Sequence, residues 1–286
     1  MESKKIIKTT DLVKVAIENK GRIEKAYWTN QEQDNDDVSK LLNSSLHIYI
    51  DHRRRVLSKF DEFIRKFDSD GEEKNELEES IHALLMKRGE NFKESRNINH
   101  LHNLWILDDK YAIFSGTRGG ISTKNGQGLP DIYFWIDDPR RPREVLILEL
   151  KSTTHAHNAG NKHESMIAQL KRYAAQFYNK PESVINWNPN PERILYSGII
   201  LACKTDVYKE IASNNSGGRP TKIPFLESSY YFNDSFSVSR GGAAEPKLVD
   251  IRIDMYSYED IHNLASDRNE VFLNLLKGEF KAEDDE

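Results

Sequence analysis

At 286 residues the chain is long enough for one large domain, or for a domain with a smaller appendage. Its 37% hydrophobic and 30% charged residues place it on the polar side for a compact enzyme, and its formal net charge of −5 excludes a protein that coats nucleic acid by general attraction. No run approaches the roughly 20 apolar residues that span a bilayer. The start, "MESKKIIKTTDLVK", lacks the apolar core of a secretory signal, so a cytoplasmic protein without a membrane partner is the simplest reading.

In chain order, "TTDLVKVAIENKG" predicts a first helix with a Thr or Asp cap and a glycine stop, followed by a polar gap at "NQEQDNDD". "DHRRRVLSKFDEFIRKF" puts Val56, Leu57, Phe60, Phe63, Ile64 and Phe67 on one helical face, with Arg53, Arg54 and Arg55 read as a solvated face. "ELEESIHALLMKRG" is a second amphipathic helix, on which Glu78 and His82 share a side because they are four apart. "HNLWILDDKYAIFSG" reads as strand-forming with a turn at Asp108-Asp109. "TRGGISTKNGQG" reads as a glycine-rich loop without the lysine and hydroxyl of a nucleotide-binding P-loop.

Two strands, "DIYFWI" and "EVLILEL", flank the turn-forming "DDPRRPR". A helix over "KHESMIAQLKRYAAQFY" follows, then a buried strand, "ILYSGIILAC", and a short helix, "TDVYKEIA". The lone Cys203 excludes an internal disulfide and reads as a small buried residue rather than a nucleophile. A strand region in "PFLESSYYFNDSFSV", a strand "KLVDIRIDMY", a helix "SYEDIHNLASDRNEVFLNLLKG" and the acidic "EDDE" complete the chain. Alternating strands and helices predict an α/β fold. The organisation expected is an N-terminal helical region over 1–70 for docking or oligomerisation, a main domain over 71–278 and an acidic tail over 279–286.

The chemistry centres on "LPDIYFWIDDPRRPREVLILELKS". Position 140, in the turn, is midway between Asp131 and Glu149, so antiparallel pairing brings their carboxylates together. Side chains alternate along a strand, so Glu149 and Lys151 emerge on the same face. Two adjacent carboxylates resist burial unless a positive charge lies between them. An all-oxygen ligand set suits Mg²⁺ or Mn²⁺, which acidifies water and stabilises charge on a phosphate, and Lys151 would lie beside that water. The segment 110–180 carries 11 Lys and Arg against 6 Asp and Glu, so a polyanion is tolerated locally.

"PD" at Pro130-Asp131 followed by "ELK" at Glu149 to Lys151 resembles the signature of the PD-(D/E)xK nuclease superfamily. "AQLKRYAAQ" resembles the QxxxY of its RecB-like branch at Gln169 and Tyr173, and the helix "ELEESIHALL" matches its helical glutamate at Glu78, with Glu76 and Glu79 as rivals. Through "HNLWILDD", "PDIYFW...LELK", "QLKRY" and "ASDRNEVFLNLL", residues 46–278 resemble more closely the Shedu-type anti-phage nuclease domains. They are also similar to the C-terminal domains of bacterial proteins carrying an Hsp90-like or MutL-like ATPase.

The resemblance implies a restriction-endonuclease-like mixed β-sheet core flanked by helices and metal-dependent endonuclease activity on DNA in anti-phage defence, with an ATPase partner or fused ATPase domain and a homo-oligomer. Asp131, Glu149, the Leu150 carbonyl and Glu78 would hold Mg²⁺ or Mn²⁺. Lys151 would assist the attacking water, and Gln169 and Tyr173 would support the site. Arg118, Arg140, Arg141, Lys171 and Arg172 are candidate phosphate-backbone contacts, since cations neutralise phosphates regardless of base.

Other readings stand beside this one. Asp131 as a turn cap with Glu149 and Lys151 as an edge-strand ion pair is the plainest. A nuclease fold that binds nucleic acid or scaffolds a defence complex without cutting is the functional alternative. His155, His157 and His163 cluster after the ELK, but a loop without cysteines or a helical i, i+4 pair is a poor zinc site. His82 and His102 read as structural histidines.

Overall fold

The computed structural model describes residues 35–69, 74–89, 102–113, 119–122, 129–136, 143–151, 165–179, 194–213, 218–239 and 246–277. The first helix expected, the histidine-containing stretch after Lys151 and the acidic tail lie outside the described residues. The chain divides into two compact units, one of Met1–Lys59 with Ser266–Glu286 and the other of Phe60–Ala265.

The helices are α1 (Asn35–Ser69), α2 (Lys74–Leu85), α3 (Met166–Asn179), α4 (Lys204–Ser213) and α5 (Tyr258–Lys277). The strands are β1 (Gly119–Ser122), β2 (Ile132–Ile136), β3 (Arg143–Leu150), β4 (Ile194–Ala202), β5 (Thr221–Lys222), β6 (Tyr230–Val238) and β7 (Lys247–Ser257). In the first unit, Ile50, Val56 and Leu57 of α1 are buried. Arg53 is buried with them: its guanidinium donates to Asn269 Oδ1 of α5 at 3.1 Å and lies 4.6 Å from the Tyr49 ring centre. The triple arginine is therefore only partly the solvated face expected, because a buried guanidinium needs an acceptor and Asn269 supplies one.

The second unit is built on a mixed seven-stranded sheet in the order β1-β2-β3-β4-β7-β6-β5. β3, β4 and β7 run parallel at its centre, and the remaining neighbours pair antiparallel. Six consecutive residues of β3, Val145 to Leu150, are buried, as befits a central strand covered on both faces. The main core lies between the sheet and α3, where Ile167, Leu170, Ala174 and Phe177 meet Ile147, Ile200, Phe232 and Ile253. Gly198 on β4 permits the closest approach, since a Cβ there would fall 2.3 Å from Leu170 Cδ2.

Two local expectations change. The supposed strand at "LWILDDKYAI" is a pair of 3₁₀ turns, Leu104–Ile106 and Asp109–Ile113. Leu104 to Leu107 are all buried, which a strand with one wet face does not achieve, and Asn103 fastens the turn by donating through Nδ2 to Leu84 O at 2.7 Å. Conversely, part of the expected glycine-rich loop forms β1, whose backbone Gly119–Ser122 pairs with Ile132–Trp135 of β2. The available edge of β2 overrides the weak strand propensity of two glycines.

Candidate active site

Ile132 pairs with Leu148 and Ile136 with Glu144, so Asp131 and Glu149 continue the ladder at the open end of the hairpin. Each carboxylate is held by the opposite strand's backbone. Asp131 N donates to Glu149 Oε2 at 3.2 Å, and Leu150 N donates to Asp131 Oδ2 at 2.8 Å. The same end of the sheet carries the C-terminal ends of the three parallel strands. Open α/β sheets commonly bind ligands there.

Glu149 is only 4% exposed, and burial together with the Asp131 charge pushes its carboxyl up from 4.5 to about 7. Lys151 Nζ donates to Glu149 Oε1 at 2.6 Å. Burial alone would lower the Lys151 ammonium, but Glu149's charge and hydrogen bond outweigh it and the net shift is upward. Lys151 is therefore a cation at neutral pH, suited to neutralising developing charge and unsuited to accepting a proton. Its backbone is held on both sides: Lys151 N donates to Leu201 O at 2.8 Å, and the buried Tyr258 hydroxyl donates to Lys151 O at 3.0 Å.

Residues 169 and 173 lie one turn apart on α3 and act as a unit. Gln169 Nε2 donates to Glu149 Oε1 and to Tyr173 Oη, both at 2.8 Å. The N-terminus of α3 is fixed by two acceptors: Ser165 Oγ takes the Ala168 N–H at 3.0 Å, and Glu210 Oε1 of α4 takes the Ile167 N–H at 3.1 Å. Arg172 lies over the Tyr173 ring at 4.6 Å. Lys171 faces β6 instead, where its ammonium meets Asp234 Oδ2 at 3.0 Å, and this tie opposes the phosphate contact expected of it. Arg118, Arg140 and Arg141 lie outside the described residues.

Glu78 on α2 is half-buried, and its charge raises the proton affinity of both Lys151 and Tyr258, so the helix brings it within electrostatic reach of the site. Glu79 is exposed and pairs with Arg88 Nε at 2.6 Å, while the Glu76 side chain lies outside the described ones. Three partners were not anticipated. Arg88 Nη1 reaches Asp131 Oδ1 at 3.2 Å, His82 Nε2 lies 3.3 Å from Asp131 O, and Tyr258 holds the Lys151 carbonyl. Burial and the neighbouring Arg88 lower the His82 pKa, so it is a neutral structural donor rather than an acid. Arg88 follows α2 in "MKRG", where no spacing rule connects it to an aspartate 43 residues away.

The donor set fits a hard divalent cation. Asp131 and Glu149 converge, and burial together with the Asp131 charge makes Glu149 hold its proton more tightly than usual even with Lys151 on it, a repulsion that a divalent charge would relieve. Among the described residues, no group of three or more His, Cys, Asp or Glu is gathered as a cage. Mg²⁺ needs only one or two protein carboxylates because it keeps several waters and takes substrate oxygens, so Asp131 and Glu149 are the residues that would hold it, with Glu78 in electrostatic reach. No helix among the described residues is long and apolar enough to cross a membrane. Comparison with protein-family models, curated proteins and solved structures found no match.

Proposed function

We propose that the chain is a Mg²⁺- or Mn²⁺-dependent endonuclease of the PD-(D/E)xK type that hydrolyses phosphodiester bonds in DNA. One observation carries this reading: Asp131 and Glu149 are locked side by side by each other's backbone, with Lys151 and Gln169 converging on the same Glu149 oxygen. Asp131 and Glu149 would hold the ion, with the Leu150 carbonyl and Glu78 completing the set. The bound ion would supply Lewis acidity and a more acidic water.

Lys151 neutralises charge that builds on the phosphate as water adds and the sugar oxygen leaves. Gln169 fixes the Glu149 rotamer and carries the constraint on to Tyr173. Roles in anti-phage defence, control by an ATPase partner or fused domain, self-association and a restriction-endonuclease-like core belong to the same proposal.

A second reading has its own support. Arg88 on Asp131 and Lys151 on Glu149 already give both carboxylates a cation, as in a module that binds nucleic acid without cutting. Incubation with supercoiled and linear DNA in Mg²⁺, Mn²⁺ or EDTA separates the two. Metal-dependent cutting that falls by about 10²-fold or more in Lys151→Ala, while folding is kept, supports hydrolysis. Cutting unchanged by that substitution removes Lys151 from the chemistry, and inert protein that still binds DNA favours the module.

A further inference from the structure

The turn between β5 and β6 presents Phe225 in an unusual state. It is the one non-glycine residue with positive φ among those described, at 66°, and its side chain is fully exposed. A bulky L-residue in left-handed backbone is strained, and a phenyl ring in water gains nothing from the hydrophobic effect. Two unfavourable features on one residue call for a compensating contact.

The surroundings show that the turn is not loose. Ile223 N donates to Ser229 O at 2.9 Å, Leu226 is buried, and the buried Asp260 of α5 accepts from Glu227 N, Ser228 N and the Ser229 hydroxyl. Ser228 Oγ also donates to Ser257 Oγ at 2.8 Å, beside the Tyr258 that holds the Lys151 carbonyl. The turn is thus braced on the same chain segment as the catalytic lysine, at the same end of the sheet.

Phe225 shares its segment with exposed cations, an exposed carboxylate, Glu227, and a neighbouring aromatic ring. Tyr208 is 40% exposed and its hydroxyl donates to Glu227 O at 3.4 Å, while Lys204 pairs with Glu227. Lys209 faces Asp206 at 3.8 Å, and the exposed cations on the turn's own segment are Arg219 and Lys222. Aromatic rings interleaved with cations suit unpaired or splayed bases: rings stack on the bases, and cations follow the backbone. From β3 to β6 is three strand spacings, roughly 14 Å, or about four nucleotides along a stacked strand.

We propose that Phe225 is a nucleic-acid contact, stacking on a base a few nucleotides from the phosphate taken by the divalent cation that Asp131 and Glu149 would hold. The inference rests on the nuclease reading for its choice of ligand, but binding tests it separately from cutting. Labelled single-stranded and duplex DNA are titrated in Ca²⁺, a hard cation that takes the same oxygen ligands, with the full chain and its Phe225→Ala, Phe225→Trp and Phe225→Gly variants; a parent that binds no DNA overturns the inference. The expected result is binding weakened about tenfold in Ala and Gly and retained in Trp.

Phe225→Gly should also raise the melting temperature, because it relieves the left-handed strain. A structural role predicts the opposite, with stability and binding falling together. Ala and Gly variants that bind DNA like the parent overturn the inference. So does a change in oligomeric mass with DNA binding intact, which would assign Phe225 to a protein contact. DNA binding through Phe225 without cutting in any metal sinks the hydrolytic reading alone, and cutting by a chain indifferent to Phe225 sinks this one alone.

Discussion

Replacing Glu149 by glutamine tests the electrostatics of the site before any substrate is known. The folded chain binds the Glu149 proton up to about pH 7, against an ordinary 4.5, because the carboxyl is buried beside Asp131. Each tenfold change in proton affinity corresponds to about 1.4 kcal/mol, so ionised Glu149 costs the fold about 3 kcal/mol. Between pH 4.5 and 7 the folded state holds more protons than the unfolded one, so stability falls as pH rises through that window and levels off above it. Glutamine keeps the shape and cannot ionise.

The stability difference between Glu149→Gln and the parent should therefore move by about 3 kcal/mol in favour of the variant from pH 4 to pH 8, read by urea unfolding in EDTA. Saturating Mg²⁺ at pH 8 should stabilise the parent and leave the variant nearly unchanged, because binding to the folded state alone adds to its stability. A difference that stays flat with pH would refute the assignment of the cost to a buried, ionising Glu149. A Mg²⁺ response of equal size in both proteins would refute its place in the metal set.

Two further outcomes follow from the same geometry. Arg88 competes with a cation for Asp131, so Arg88→Ala should tighten Mn²⁺ binding by about tenfold, or about 1.4 kcal/mol, in calorimetric titration; weaker binding would show that Arg88 organises the site instead. Gly198→Ala puts a methyl group into Leu170 and should cost about 1–3 kcal/mol. It should also reduce DNA cutting, because Leu170 adjoins the Gln169 that holds Glu149; undiminished stability would mean that α3 shifts freely.

Much of the candidate site was legible because its decisive relationships are short in sequence. A proline-rich turn between two apolar runs sets the hairpin's centre, and that centre places Asp131 against Glu149. Strand alternation puts Lys151 beside Glu149, and one helical turn joins Gln169 to Tyr173. Lys171 illustrates where such reasoning stops: its charge suggested phosphate, but its position on α3 turns it toward Asp234. "LWIL" and the glycines of β1 show that local propensity yields when burial or an available strand edge favours another conformation.

The sequence by itself determined the alternation of strands and helices and the pairing of the central hairpin. It also determined which acidic, basic and amide side chains that hairpin and the next helix could bring together. Tertiary structure alone decided that Arg88 reaches Asp131, that Tyr258 closes on the Lys151 carbonyl from 107 residues away, and that Phe225 is held out at the same sheet end. Period and turn chemistry act over a few residues, whereas these contacts depend on how separate elements pack. No local pattern encodes that distance.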